Sequence, residues 1–258
     1  QKTAYEIMPS LVGSEMCIRD RLLTSQDNGA FGADSDSSLE SLLNELSHLD
    51  GDFRLRVGML NPMLVAGRSE KMARAWSDNR TYKFMHLPIQ SGSQKMLDAM
   101  LRDHTLDDFW EVVDTFRSHY PEMMITTDII TGFPGETDED HQATIDLLRR
   151  LLPDLVNITR FSPRTGTPAA KYKRLNGKIV KNRSRELTIL RQELGAKSFK
   201  RFVGRKTSVL SIENQRPGST LCRDDNYRPI IIKEELPLGE FYDVEIIDSE
   251  YAFLTAVL

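Results

Sequence analysis

Three short apolar runs in this chain each end in a turn whose residues can grip a small polar molecule. They are His86-Leu-Pro-Ile-Gln-Ser-Gly-Ser93, Thr127-Asp-Ile-Ile-Thr-Gly-Phe-Pro-Gly-Glu-Thr137 and Arg160-Phe-Ser-Pro-Arg-Thr-Gly-Thr-Pro-Ala169. In a parallel α/β fold, ligands sit at the carboxyl ends of strands, because the turn frees backbone N–H groups and the next helix aims its positive end at the site. Gln90, Ser91, Gly92 and Ser93 offer amides and hydroxyls to a ribose or a carboxylate. Alone, Ser-Gly-Ser reads first as a helix cap; beside the other two turns, the cofactor reading leads. Gly132 and Gly135 flank Phe133 and Pro134, which permits close backbone approach, while Glu136 and Thr137 can cap the following helix. Asp128 is either a strand-end hydrogen-bond partner or a cofactor contact, according to the phase of its strand. Arg164 can pair with a cofactor carboxylate or a substrate phosphate, and Arg160 stays open between that role and a solvated one. No residue stands out as a catalytic acid, base or nucleophile. The five histidines show no metal spacing, and the two cysteines, Cys17 and Cys222, make no motif.

Those turns need strands and helices to hold them, and the chain supplies the alternation of a parallel α/β fold. Strands are expected at Leu22 to Thr24, Phe53 to Leu60, Tyr82 to Leu87, Met123 to Ile130 and Leu155 to Phe161. Between them, Leu39, Leu42, Leu43, Leu46 and Leu49 recur at helical spacing, and a further helix is expected near Ser69 to Trp76. The Ser-Gly-Ser turn opens a helix through Met96, Leu97 and Met100; Thr105 opens another, which Pro121 ends, and Glu139 to Leu151 forms the next. Gln26, Asp27 and Gly32 occupy the turn after the first strand and are expected on the same rim.

Beyond residue 180 the texture changes. A basic helix, roughly Lys181 to Arg201, leads into four short alternating strands at 207–213, 227–233, 241–247 and 252–258, the pattern of a small antiparallel barrel or sandwich. The formal net charge of -4 hides an asymmetry: from Arg164 to Lys206, a run of Lys and Arg that includes Lys181, Arg183 and Arg185 is opposed only by Glu186 and Glu193. Such a stripe suits a phosphate backbone, whereas the later half of the C-terminal segment is acidic. With 40% hydrophobic and 28% charged residues and no apolar run long enough to cross a bilayer, the composition is that of a cytoplasmic enzyme without a membrane partner.

Taken together, the three turns closely resemble the radical-SAM methylthiotransferases, which insert a methylthio group into a tRNA adenosine or a ribosomal protein side chain. Asn28-Gly-Ala-Phe-Gly32, Arg56-Val-Gly-Met-Leu-Asn-Pro62 and Ser162-Pro-Arg-Thr-Gly-Thr-Pro-Ala169 look most like the archaeal and eukaryotic branch, which acts on N6-threonylcarbamoyladenosine in the tRNA anticodon loop. The resemblance implies a partial (β/α) barrel followed by a TRAM-like, RNA-binding β-barrel. It implies S-adenosylmethionine and two 4Fe-4S clusters as cofactors, tRNA as partner, and an electron donor for which no motif stands here. It carries a place in the S-adenosylmethionine adenine pocket to Ile130, Gly132 and Phe133, while Gln26, Asp27, Lys181, Arg183 and Arg185 are expected to face the RNA.

The family holds its clusters on cysteine motifs that are absent from this chain. The expectation is therefore a truncated and inactive piece, with the first barrel strand and its cluster loop upstream of Leu22. Residues 1–21 resemble translated sequencing-adapter read-through and are expected to be non-native or disordered, with 22–180 the truncated barrel, 181–200 a linker helix and 201–258 the RNA-binding barrel. The alternatives are a methylthiotransferase for isopentenyl-adenosine tRNA or a ribosomal protein, and a non-catalytic RNA-binding remnant.

Overall fold

The computed structural model describes residues 19–258; Cys17 and the rest of the adapter-like segment up to residue 18 lie outside the described residues. The five expected strands form in order: β1 (Asp20–Leu23), β2 (Arg54–Val57), β3 (Phe84–His86), β4 (Met124–Thr131) and β5 (Leu155–Arg160). All pair in parallel, β1 with β2 and β3 with β4 and β5, and single bridges from Leu55 to Thr81 and from Met59 to His86 stitch the two sheets together. The first strand opens at Asp20 rather than Leu22, because Asp20 and Arg21 already pair with Arg54 and Leu55.

The helices start where the sequence supplies caps. In α1 (Leu39–Leu46), the Ser38 and Ser41 side chains bond each other's backbone N–H groups. Leu49 falls outside this helix. Two short helices, α2 (Pro62–Val65) and α3 (Ser69–Ala75), follow β2. Beyond β3 come α4 (Gln94–Ala99) and α5 (Leu106–His119), the latter with a reciprocal cap between Thr105 and Asp108. After β4 comes α6 (Asp138–Leu151), capped in the same way by Thr137 and Asp140. The apolar faces of these helices meet Val57, Met85, Ile125, Ile129 and Val156 in one continuous core.

The expected linker helix is α7 (Gly177–Lys200), which begins four residues before Lys181 and is no free tether. Leu187, Leu190 and Leu194 join the core of the α/β unit, while Phe199 enters the second core, so the helix is packed into both. The C-terminal segment closes into a five-stranded barrel of β6 (Lys206–Arg216), β7 (Ser219–Arg223), β8 (Pro229–Ile232), β9 (Phe241–Ser249) and β10 (Leu254–Val257), in the order β10-β8-β7-β6-β9. Closure leaves no unpaired sheet edge in this unit. Its core takes in Tyr82, Phe84 and Met124 from the amino ends of β3 and β4, so the barrel packs against the end of the sheet opposite the three turns.

Candidate functional site

The turn after β4 is built around two glycines with positive φ and a buried carboxylate. Gly132 has φ +79°, and a Cβ there would lie 2.6 Å from Val180 Cγ1 of α7. Glu136 turns back, accepting the Gly132 N–H at 3.0 Å and the Arg183 Nη1 at 2.7 Å. Arg183 also donates to the Glu136 carbonyl at 3.0 Å and to Asp138 at 2.6 Å. With side-chain exposures of 7% for Arg183 and 3% for Glu136, this is an interior ion pair. The expectation that Arg183 faces RNA is corrected here: its guanidinium belongs to the turn, because its position on α7 points toward the sheet.

Held this way, Phe133 is 4% exposed and meets the Phe161 ring edge-on, with centroids 4.8 Å apart, and the Tyr172 ring at 6.5 Å. These rings border a cavity of about 450 Å³ at the carboxyl ends of β4 and β5, with Ile130 and Thr159 in its floor. One wall is the loop Ala99 to Arg102, the other the segment from Arg160 to Tyr172. Arg102, Arg160 and Arg164 all reach this cavity, and none forms a hydrogen bond or ion pair through its guanidinium with another described residue. An aromatic slot ringed by unpaired guanidiniums suits a flat heterocycle that carries carboxylate or phosphate. Ile130, Phe133 and Arg164 are thus brought to one cavity, while Gly132 shapes the turn beside it.

Register settles the phase of Asp128. It sits opposite Asn157, on the face shared by Thr126, Ile130 and Thr159, away from the helices. His86 Nε2 donates to Asp128 at 3.0 Å and Asn157 Nδ2 at 2.8 Å, a polar ladder across three strands. Burial pushes the Asp128 carboxyl up, but these two hydrogen bonds, with the Arg102 charge nearby, outweigh it and hold the group below its ordinary value. His86, one of the histidines without metal spacing, is part of this inner face.

The turn after β3 is different. Gln90 adopts φ +73°, its backbone bridges to Ile129, and its side-chain amide has no hydrogen-bond partner among the described residues. Ser91, Gly92 and Ser93 face α6 instead of the cavity: the Gly92 N–H donates to Thr144 Oγ1 at 3.0 Å, and Ser93 Oγ donates to Asp140 at 2.7 Å. Burial raises the Asp140 carboxyl, but Lys95, the Thr137 amide and Ser93 outweigh it and hold the group well below the carboxylate range. The Ser93 side chain makes no cap to α4 either. Its polar groups dock one helix against another, so the three residues do not meet Ile130 and Phe133 at the cavity.

The turn after β1 lies away from this cavity. Asp27 accepts the Gly29 N–H at 2.9 Å and the Asn61 N–H at 3.3 Å, tying two strand-end turns together, while Gln26 is exposed. Lys181 and Arg185 are exposed and form no ion pair among the described residues, unlike Arg183 between them. Lys171, Lys173 and Arg174 lie beside Pro134 and Gly135, lining a shallow depression that shares Tyr172 with the cavity. The basic stripe therefore reaches the cavity mouth. Sequence reasoning missed Arg102, Leu101, Phe161 and Tyr172; of these, Phe161 alone had a local signal, its place between two arginines.

Residues 30–148 match the radical SAM superfamily. That stretch is a radical SAM domain, and members of the superfamily use S-adenosylmethionine and 4Fe-4S clusters. The chain is 42% identical over 241 residues to a probable threonylcarbamoyladenosine tRNA methylthiotransferase of Archaeoglobus fulgidus, covering 93% of this chain and 56% of that protein. It is 44% identical over 169 residues to the threonylcarbamoyladenosine tRNA methylthiotransferase of Drosophila pseudoobscura pseudoobscura, covering 65% of this chain and 31% of that protein. Among solved structures, the radical S-adenosylmethionine methyltransferase TsrM of Kitasatospora setae, with cobalamin and a [4Fe-4S] cluster bound, aligns with a TM-score of 0.45 at 18% identity, over 55% of this chain and 27% of that one. The chain spans about half the length of the archaeal relatives it matches.

The described residues do not fit a cluster. Cys222 is their only cysteine, buried in the C-terminal barrel core, where burial pushes its thiol up to about 12. Among the described residues, no group of three or more His, Cys, Asp and Glu side chains is placed to hold a metal ion, and no helix is long and apolar enough to cross a membrane.

Proposed function

We propose that this chain is the cofactor- and RNA-holding part of a tRNA methylthiotransferase acting on N6-threonylcarbamoyladenosine. The observation that carries the reading is the cavity between Phe133 and Phe161, walled by unpaired guanidiniums and reached by an exposed basic segment. Ile130 and Phe133 would hold the adenine of S-adenosylmethionine, with Phe161 at its edge and Arg164 on the methionine carboxylate. Bound there, S-adenosylmethionine brings a transferable methyl group and a reductively cleavable sulfonium. The described residues contribute binding, orientation and shelter from water; no step through a cluster is assigned to them.

Lys171, Lys173, Arg174, Lys181 and Arg185 would take RNA phosphates beside the mouth, so that an unstacked base can enter. The C-terminal barrel is read as TRAM-like, from its place after the α/β unit and its closed five-stranded form. The names of the archaeal and eukaryotic relatives favour threonylcarbamoyladenosine over isopentenyl-adenosine or a protein substrate.

The reading is tested by equilibrium dialysis with S-adenosylhomocysteine and by anisotropy with labelled tRNA. Saturable S-adenosylhomocysteine binding that weakens in Phe161→Ala, with salt-sensitive tRNA binding that weakens in a Lys181→Glu, Arg185→Glu double variant, is expected. Binding of neither ligand by the folded chain overturns it.

A further inference from the structure

Resting on that reading, we infer that Arg102 is the specificity residue that pairs with the carboxylate of the threonylcarbamoyl group on the target adenine. The strand order fixes the walls of the cavity: β4 lies between β3 and β5, so the Phe133 turn lies between the loop that follows α4 and the segment that follows β5. Arg160 and Arg164 sit on the second wall, next to Phe161, and so on the cofactor's side. Arg102 sits on the first wall and faces whatever lies across from the cofactor.

The local geometry keeps Arg102 there. Leu101 adopts φ +57°, a costly conformation for a residue with a Cβ, and the Arg102 N–H donates to the Leu97 carbonyl at 2.9 Å. The one carboxylate that Arg102 influences inside the sheet, Asp128, is already held by His86 and Asn157. Arg102 is half-buried, yet its guanidinium makes no hydrogen bond or ion pair with a described residue, so its donors are free for a ligand. Leu101 beside it is 73% exposed and offers an apolar edge for a base.

The cofactor brings one carboxylate, which Arg164 can meet. Arg160 lies on the same wall as Arg164, whereas the free guanidinium of Arg102, on the opposite wall, calls for a second anion, and the threonyl carboxylate is the one that the target nucleoside carries. The guanidinium fork matches a carboxylate in geometry and charge. An isopentenyl group or an unmodified amine would leave the same guanidinium half-buried and unpaired, so Arg102 selects against both.

The test uses the chain as it stands and two labelled anticodon stem-loop RNAs that differ only in carrying N6-threonylcarbamoyladenosine or adenosine. Wild type should bind the modified RNA about thirtyfold more tightly, the worth of one charge-assisted contact in a half-buried site. Arg102→Gln should abolish that preference while leaving affinity for the adenosine RNA within about twofold, and Arg102→Lys should restore part of it. Equal affinity of wild type for both RNAs, or equal weakening of both in Arg102→Gln, overturns the inference while leaving the RNA-binding reading intact. Failure of wild type to bind either RNA overturns both.

Discussion

The turns after β3 and β4 look alike in sequence, each an apolar strand running into glycine beside small or polar residues, yet the fold uses them in opposite ways. The β3 turn gives its hydroxyl and amide groups to Thr144 and Asp140, leaving Gln90 as its free polar side chain. The β4 turn satisfies its own backbone internally through Glu136 and Arg183, which frees Phe133 to line a cavity. Glycine also differs in meaning between them. A Cβ on Gly92 would meet the Ala143 carbonyl oxygen of α6 at 2.4 Å, so that glycine permits helix docking; Gly132 needs both its positive φ and the room beside Val180. Polar groups at a strand end are therefore available to a ligand only where no neighbouring helix claims them.

The comparison is broken most severely at Arg183. Arg183→Ala leaves the Glu136 carboxylate buried without its partner and should cost about 3–5 kcal/mol in urea unfolding. Its exposed neighbours make the contrast: Lys181→Glu with Arg185→Glu should leave stability within about 0.5 kcal/mol while weakening tRNA binding and flattening its salt dependence, by roughly 0.7–0.9 in log–log slope for each phosphate no longer neutralised. A double variant that unfolds the chain, or an Arg183→Ala variant of native stability, contradicts the division of the stripe into one interior and two surface positions. Next in size, Gly92→Ala should destabilise by about 1–3 kcal/mol through its clash with α6, with S-adenosylhomocysteine affinity unchanged in the folded fraction. Phe161→Ala should do the reverse, lowering that affinity about tenfold by removing the aromatic edge while the folded chain persists to similar urea concentrations.

Much of this architecture was legible because strands and helices here follow their hydrophobic periods. In β2, Leu55 and Val57 alternate with Arg54 and Arg56, and Thr105 and Thr137 announce their helices with an acid three residues later. Strand β7 was not legible, because Ser219, Thr220 and Arg223 dilute its apolar pattern directly after a Pro-Gly turn. The site was legible as three turns but not as one cavity. Which turns open to a ligand depends on long-range contacts, such as Gly92 to Thr144 and Glu136 to Arg183, that no local pattern encodes. Arg183 shows the limit plainly: composition puts it in a basic stripe, and only the rotation of α7 takes it inside. Arg102 had no signal, since its exposure to the cavity follows from the left-handed backbone at Leu101.

The finest distinction between the two turns lies in their carboxylates, and it yields the smallest expected effect. Asp140 serves helix docking and Asp128 the inner face of the sheet, and each is held below its ordinary value against the opposing effect of burial. A carboxylate whose folded value is lowered adds stability that is fully present above its unfolded value, near 3.9, and is lost as pH falls through the folded value. Wild type should therefore lose stability progressively below about pH 4. Asp128→Asn removes the contribution of the sheet ladder alone, so its stability should fall less steeply than that of wild type over this acid range, while Lys95, Ser93 and Thr137 still act on Asp140. Combining Asp128→Asn with Asp140→Asn should flatten the acid limb further, because the two carboxylates have no hydrogen-bond partner in common. Parallel acid limbs for wild type and Asp128→Asn would mean that His86 and Asn157 orient Asp128 without stabilising its charge, and that the inner face differs from the β3 turn in position alone.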